Sequence, residues 1–288
     1  MKPGIYYNYD PNAYHADPCP VASLNQSTAK LLLNASPLHA AAGHPRMGGQ
    51  SRNRDYESDS PMVMGELVHA MVLGRGRRIV RGDFDSYRTK AAQQWKAEAI
   101  EHGLLPVLDR QYRQAEKIAQ CVGVEVWYDL DRTAPTEVVL IWQEGETWFR
   151  SMVDLLDEKN CTVVDLKTTS SAISRDRVDW TVIENGYDVQ AAFIERGLNV
   201  LMPHLAGRWR FKFVQAEQHQ PFGVLPIWLS ESTMNFGRRR VEAAVSVWQM
   251  CMLSGQWPGY EPVEATVPDR AIIEWSEREL ALLQGGAA

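Results

Sequence analysis

The chain has 288 residues, of which 45% are hydrophobic and 23% are charged, as in an ordinary soluble protein that can bury a sizeable core. Its formal net charge of −6 argues against a protein that simply coats nucleic acid, although an acidic metal site beside a local basic groove would give the same total. No apolar run reaches the roughly 18 residues of a membrane span, and the N-terminal segment lacks the apolar stretch of a signal peptide, so we expect a cytoplasmic protein.

The four cysteines, Cys19, Cys121, Cys161 and Cys251, are far apart and include no Cys-x-x-Cys pair. Such spacing does not support a zinc site or a disulfide framework. An iron–sulfur cluster is disfavoured for the same reason. We expect buried or unused thiols.

The first 60 residues predict one short helix between irregular segments. Residues 1–24 are aromatic and rich in turn formers. Ser27 suits the N-cap of a helix that Pro37 would end. Residues 43–60 are polar, contain glycine and lack periodicity, which is typical of a loop.

Helices are also predicted for the following part of the chain. Ser60 and Pro61 are suited to the N-cap and the first position of a helix that Gly74 ends. Residues 86–122 predict two further helices, divided by a glycine and a proline.

From residue 136 onward the hydrophobic period changes from helical to strand-like. The segments "TEVVLIW", "ETWFRSMVDLLD" and "CTVVDLK" are separated by "QEG" and "DEKN", which predicts three strands in an antiparallel meander. A helix over 188–202, strands in "RWRFKFVQA" and "FGVLPIWL", a long helix from Ser230 to Gly255 and a tail helix near 268–284 follow. This order predicts an α/β or α+β domain.

The segment "TVVDLKTT" places an acid and a base on one face of a strand, because Asp165 and Lys167 are two residues apart. If the preceding turn spans 157–160, Asp154 becomes the diagonal neighbour of Asp165, about 7–8 Å away. Two such carboxylates suit Mg²⁺, which would acidify a water and stabilise charge on an attacked phosphate, while Lys167 adds a positive charge. The alternative is a structural ion pair on the sheet.

The order of motifs around this segment carries a family resemblance. Asp154 is followed by Asp165-Leu-Lys167, "GELVH" with His69 lies on an upstream helix, and "YDVQAAF" with Tyr187 and Gln190 lies on a downstream helix. This succession resembles the RecB-like branch of the PD-(D/E)XK nuclease superfamily. Together with "YHADP", "LNQSTAKLLLNASPLHA" and "GQWPGY", it is most similar to the exonuclease VIII (RecE-type) phage nucleases, over roughly residues 5–260.

The resemblance implies an α/β fold with a PD-(D/E)XK core: a mixed central sheet with an antiparallel meander, flanked by helices. It implies one nuclease domain over 1–288, with an N-terminal region 1–60, a core 61–260 and a tail helix 261–288. The implied activity is a Mg²⁺-dependent exonuclease, with Mn²⁺ as a substitute, that degrades linear double-stranded DNA from 5′ to 3′ in phage recombination. A homo-oligomeric ring and a single-strand annealing protein are the implied partners, with no membrane.

The resemblance also implies roles for individual residues. Asp154 and Asp165 match the metal-binding acids, and Lys167 matches the catalytic lysine. Two groups complete the set: the metal-site residues His69 and Leu166, and the bracing pair Tyr187 and Gln190. The aromatic after the glutamine is Phe193 rather than Tyr, and Val153 replaces the literal proline before Asp154.

Residues around this core are expected to contact DNA or to be ordinary surface. Glu137, at the start of the first meander strand, is a further acid near the metal or a solvated strand end. Glu66 is a partner of His69 or a solvated charge. The candidates for contact with the DNA backbone are Arg75, Arg77, Arg78, Thr168, Arg175, Arg177 and the run Arg238, Arg239 and Arg240.

Two other classes of function stay open. An endonuclease of the same superfamily, of the resolvase or restriction type, would cut closed-circular DNA, which a pure exonuclease cannot begin to degrade. A non-catalytic DNA-binding module that keeps the fold would bind DNA without degrading it.

Overall fold

The computed structural model describes residues 1–48 and 61–285 of the chain. Most of the loop predicted at 43–60, and the predicted cap Ser60, therefore lie outside the described residues. The chain forms two units, Met1–Pro258 and Gly259–Ala288. The second unit contains the predicted tail helix, α10 (Asp269–Gly285). Everything that follows concerns the first unit.

A six-stranded sheet forms the centre of the first unit, in the order β1-β4-β5-β6-β7-β8. Strands β6 and β7 are parallel, and the other neighbours are antiparallel. A separate parallel pair is formed by β2 and β3. The strands are β1 (Gly4–Tyr6), β2 (Ile79–Gly82), β3 (Leu105–Leu108), β4 (Thr136–Glu144), β5 (Thr147–Asp157), β6 (Thr162–Thr169), β7 (Arg210–Glu217) and β8 (Val224–Trp228).

Helices cover both faces of the sheet, so apolar side chains of its strands are buried on two sides. Helices α2, α8 and α9 pack on one face, and α4 and α6 pack on the other. The helices of this unit are α1 (Pro11–His15), α2 (Gln26–Asn34), α3 (Pro37–Ala42), α4 (Pro61–Leu73), α5 (Lys90–Glu101), α6 (Asp109–Val126), α7 (Val178–Glu184), α8 (Tyr187–Leu201) and α9 (Glu231–Ser254).

The predicted fold class is confirmed: this is an α/β protein with a mixed sheet flanked by helices. The antiparallel meander is β4, β5 and β6. The long helix α9 has Ser230 as its N-cap and ends at Gly255, as its sequence predicts. Alternation and capping residues are local signals, and they were sufficient here.

The structure corrects several local predictions. Asn25, not Ser27, caps α2, because its side chain accepts a hydrogen bond from the Thr28 backbone. Helix α2 ends at Asn34, just before Pro37 as predicted, but the chain does not become irregular there: Ser36 caps a new helix, α3, in which Pro37 is the first residue. Three short strands, β1, β2 and β3, were not predicted, since strands of three or four residues carry little periodicity.

A buried ionic cluster holds the N-terminal segment against β5. Arg150 donates to the backbone carbonyl and the hydroxyl of Ser23 at 2.9 and 2.6 Å, and it lies 3.2 Å from Asp17. His44 Nε2 bonds to the Ser23 carbonyl at 3.0 Å and lies 3.4 Å from Asp17. Since charges this deeply buried are tolerated only when paired, the cluster fixes one docking position for the segment.

All four cysteines are described and free; Cys19, Cys161 and Cys251 are buried and Cys121 is exposed. Within residues 1–48 and 61–285, no helix combines the length and the hydrophobicity that crossing a membrane requires.

Candidate active site

The candidate residues meet where β5 and β6 separate. The two strands pair at Leu155–Val164, Leu156–Val163 and Asp157–Thr162, and the next position along would set Asp154 opposite Asp165. Instead of continuing the ladder, Asp154 Oδ2 accepts a hydrogen bond from the Leu166 backbone N–H at 2.9 Å. We call this point, Asp154 with Asp165, the strand fork.

The predicted register was wrong by two residues. It placed Asp154 opposite Val163, with Asp165 on the diagonal, whereas the observed ladder brings Asp154 level with Asp165. The error came from the turn, because Asp157 still pairs with Thr162 and the four-residue loop is 158–161 rather than 157–160. The predicted sharing of one face survives, since a two-residue slip preserves the alternation.

A kink in the sheet re-aims Asp154. Val153 and Leu156 pack in one core and Leu155 packs in the other, so the alternation of β5 is interrupted at Asp154. Opposite it in β4, between the pairs Thr136–Leu155 and Val138–Val153, Glu137 has a φ of 50°. A left-handed non-glycine residue costs free energy, and such strain is commonly found at functional sites.

The carboxylates around the kink perturb one another. Burial and the charge of Asp165 raise the pKa of Asp154. Burial and the charge of Asp154 raise the pKa of Glu137. A cation between the carboxylates would relieve both effects. Of the two readings of Glu137, the structure therefore favours the further acid at the site over a solvated strand end.

Asp165 is held from two sides. Gln190 of α8 donates from Nε2 to Asp165 Oδ1 at 2.5 Å, and Lys167 Nζ lies 2.5 Å from Oδ2. Burial alone would lower the pKa of Lys167, but the charges of Asp165 and Asp154 outweigh it and raise that pKa. The lysine is therefore a fixed positive charge beside the two acids.

Tyr187 supports Lys167 rather than the acids. Its ring stacks on Phe213 of β7, with centroids 4.7 Å apart, and the Lys167 ammonium lies 5.7 Å from its centroid. Phe193 lies elsewhere, fully buried between Trp142 and Phe149. The phenylalanine that stands here in place of tyrosine is therefore a residue of the hydrophobic core.

His69 reaches the strand fork from α4. Its Nε2 donates to the Leu166 carbonyl at 2.8 Å, and its Nδ1 lies 3.6 Å from Asp154 Oδ2. Gly65, one turn earlier, permits this approach, because a Cβ there would lie 2.9 Å from Thr168 Oγ1. Glu66 pairs with Arg77 through hydrogen bonds of 2.6 and 2.9 Å. Neither expectation for Glu66 is therefore met, since it is not a partner of His69 and not an isolated solvated charge.

The donor groups at the strand fork fit a divalent cation. Asp165 Oδ2 is buried and accepts no hydrogen bond of good geometry from the described residues, despite the nearby lysine. Two carboxylates, an imidazole and the Leu166 carbonyl converge here, and hard cations prefer such oxygen donors. Among the described residues, no three His, Cys, Asp or Glu side chains are already arranged as a metal cluster, and His69 and Leu166 bond to each other instead.

Several of the residues expected to contact the DNA backbone instead bond to other side chains of the protein. Arg77 is paired with Glu66, Arg177 lies 3.6 Å from Glu184, and Arg75 donates to the Asn8 side chain. Arg78 and Arg175 are exposed. Thr168 Oγ1 accepts from Gln218 at 2.9 Å.

The arginine run of α9 is largely structural. Arg238 binds Glu195 through two hydrogen bonds of 2.6 and 2.7 Å, and Arg240 binds both oxygens of Asp188 at 3.0 Å. Both carboxylates are buried. These arginines tie α9 to α8, so they are poor candidates for binding a phosphate backbone.

Lys30 of α2 lies near the site, and its place was not predicted from the sequence. Its side chain packs over Gly186, the residue before Tyr187, and the charges of Lys167 and Asp165 influence it. The only local signal is a single cation inside the otherwise apolar run "TAKLLL", and such a lysine is usually a surface residue.

Comparisons with known proteins give one family and one fold. The family described as a PDDEXK-like domain of unknown function (DUF3799) matches residues 27–266. A solved structure from Eubacterium rectale, designated an exonuclease, covers 91% of this chain and 97% of its own, at 11% identity and a TM-score of 0.60. A phage-related exonuclease from Haemophilus somnus 129PT covers 66% of this chain and 95% of its own, at 10% identity, but its TM-score of 0.31 supports no argument. No curated protein matches.

Proposed function

The chain belongs to the PDDEXK-like family (DUF3799), and on that premise we propose that it is a metal-dependent deoxyribonuclease whose active site is the strand fork. The observation that supports this most is the convergence of Asp154, Asp165 and Lys167, with His69 and Gln190 behind them. A structural ion pair alone would not require an interrupted strand with a strained Glu137 opposite Asp154.

Each residue has a defined task in the proposed reaction. Asp154 and Asp165 would hold the metal, which supplies an activated water and charge stabilisation at the attacked phosphate when bound. Lys167, fixed beside Asp165, stabilises negative charge that develops on the phosphate. Gln190 orients Asp165, and Tyr187 limits the positions open to the lysine side chain.

His69 contacts the proposed metal site from helix α4. Because its Nε2 bonds to the Leu166 carbonyl, its Nδ1 is directed at Asp154. In the neutral imidazole Nδ1 then carries no proton, so it faces Asp154 with a lone pair that a metal ion could bind. We therefore propose a role in metal binding for His69 rather than in proton transfer.

The finer proposals come from the family resemblance of the motifs. They are a RecE-type exonuclease on linear double-stranded DNA, 5′-to-3′ polarity, Mg²⁺ with Mn²⁺ as a substitute, and a role in phage recombination in the cytoplasm. A ring-shaped homo-oligomer, an annealing protein as partner and one nuclease domain over the whole chain belong to the same set. The exonuclease designation of the Eubacterium rectale protein is consistent with the activity.

A degradation assay tests the proposal. Linear blunt duplex labelled at either end and closed-circular duplex are incubated with Mg²⁺ or EDTA. We expect Mg²⁺-dependent loss of the linear DNA alone, beginning at 5′ ends. Asp165→Asn and Lys167→Met should each reduce the rate by at least roughly 10²-fold while the fold is retained. The matched control is Lys159→Met, since that side chain is 77% exposed.

The other outcomes point to the alternatives. Nicking or linearisation of the circle would identify an endonuclease of the same superfamily. Binding of DNA without degradation of either substrate would identify a non-catalytic module. Full activity of Lys167→Met would refute the assignment of the strand fork as the active site.

A further inference from the structure

Lys30 is held against the residues that precede α8. Its ammonium donates to the Asn185 carbonyl at 3.0 Å. Its stem crosses Gly186, where a Cβ would lie 3.0 Å from Lys30 Cε and 3.2 Å from Cδ. Gly186 has a φ of 63° and is the N-cap of α8. Position 186 therefore favours glycine for two reasons: its backbone is left-handed, and the side chain of Lys30 packs against it.

The same helix carries the residues that contact Asp165 and Lys167. Tyr187 follows Gly186 directly, and Gln190 lies on the same face of α8 one turn later. Lys30 therefore packs on the residue that precedes Tyr187, and the Tyr187 ring lies 5.7 Å from the Lys167 ammonium. Helices α2 and α8 pack on the same face of the sheet.

The charges of the strand fork act on Lys30. Burial, followed by the positive charge of Lys167, lowers the pKa of Lys30 to about 8, while Asp165 and Asp188 act in the opposite direction. Two lysines that repel each other and are partly removed from water are both destabilised as cations. An anion that contacts both would offset this destabilisation.

Capping of α7 is the simplest structural explanation for Lys30. Asn185 is the C-cap residue of α7, and a cation at a helix C-terminus is favourable. The cap engages one N–H, however, and an ammonium has three. Capping also does not explain why Lys30 lies where the charge of Lys167 lowers its pKa.

We propose that Lys30 binds a phosphate of the DNA strand held at the strand fork, at a phosphodiester next to the one attacked. This rests on the proposed function. Lys167 serves the attacked phosphate, and Lys30, anchored on α2 and Asn185, holds the neighbouring one. The strand is thereby positioned by two elements far apart in sequence. Lys30 is a substrate-binding residue, distinct from the metal-binding acids.

Substrates with single neutral linkages test this directly. A series of linear duplexes carries one methylphosphonate, which lacks the anionic oxygen, at successive positions from the cut end. Single-turnover cleavage is measured with Mg²⁺ for the wild type, Lys30→Met, Lys30→Arg and the control Lys159→Met. Thermal unfolding of each variant is recorded in parallel.

For the wild type and Lys159→Met, cleavage should slow when the linkage next to the attacked one is replaced by the neutral methylphosphonate. Lys30→Met should cleave the unmodified duplex roughly 10- to 100-fold more slowly, the effect of one charge-assisted hydrogen bond. It should also be insensitive to that same linkage, and Lys30→Arg should restore both rate and sensitivity.

Two results would overturn the inference. If Lys30→Met keeps the wild-type pattern of sensitivity, Lys30 does not bind a phosphate. If it only lowers the unfolding temperature, the residue is a cap of α7. A wild type that cleaves none of the duplexes would instead refute the proposed function itself, so the two failures are distinguishable.

Discussion

Gly237 sets the distance between the helix that holds the site and the helix behind it. A Cβ at this position would lie 2.7 Å from the carbonyl carbon of Asp188, closer still to its oxygen, and 3.2 Å from the Cβ of Ala192. These are backbone and short side-chain atoms, which cannot turn away. In Gly237→Ala, α8 and α9 must separate by roughly 1 Å to reach ordinary contact.

The magnitude follows from two opposing effects. Alanine in a helix interior is favoured over glycine by about 1 kcal/mol. Overpacking of a close contact costs about 1–3 kcal/mol, and the upper end applies here because the same shift also stretches the two bonds from Arg240 to Asp188. We therefore expect a net destabilisation of about 2 kcal/mol, or a fall of about 4–8 °C in Tm for a unit of this size.

The chain offers a matched control for this substitution. Gly123 lies inside α6, and no described atom lies within 4 Å of the position a Cβ would take. Gly123→Ala should therefore raise the free energy of unfolding by about 1 kcal/mol. Thermal denaturation followed by circular dichroism measures both variants against the wild type.

Activity gives a second readout for Gly237→Ala. Movement of α8 displaces Gln190 from Asp165, so the DNA degradation rate should fall more than the change in stability explains, whereas Gly123→Ala leaves it unchanged. If Gly237→Ala is stabilised as much as Gly123→Ala, the helix crossing is not tight and the reasoning is wrong.

Three further predictions concern the buried cluster and the metal site. Arg150→Met should destabilise the protein by about 3–5 kcal/mol, because Asp17 stays buried without its partner, and a urea midpoint measures the loss. Burial lowers the pKa of His44, so unfolding takes up a proton and stability should fall as pH drops below about 6.5; Tm values of the wild type and His44→Gln should diverge above that pH and converge below it. His69→Gln should raise the Mg²⁺ concentration needed for half-maximal cleavage without weakening DNA binding in EDTA, since the Nδ1 lone pair of His69 would bind the metal beside Asp154; an unchanged Mg²⁺ requirement would count against that role.

The sequence predicted the parts of the fold that depend on short-range patterns. The alternation in β4, β5 and β6 defined the meander, and the acid-x-lysine spacing put Asp165 and Lys167 on one face. The helical spacing of Tyr187 and Gln190 did the same for α8. In each case the backbone geometry of one element determines which side chains lie together.

What could not be predicted depends on contacts between distant segments. The kink at Glu137 and Asp154 breaks the alternation that the pattern assumes. The place of Lys30 is defined by Asn185 and Gly186, which no periodicity links to it. Arg238 and Arg240 of α9 had the charge expected of DNA-binding residues but bind carboxylates of α8, because charge alone does not distinguish solvent from a buried partner.

The anchoring of the N-terminal segment also has a consequence for the order of events during synthesis. The bond from Arg150 to Ser23 joins residues 127 positions apart, and the bond from Lys30 to Asn185 spans 155. The first helices therefore leave the ribosome long before the groups that hold them exist. Closing such long loops costs entropy and slows folding, so we expect the nascent chain to complete this site late, after α8 has emerged.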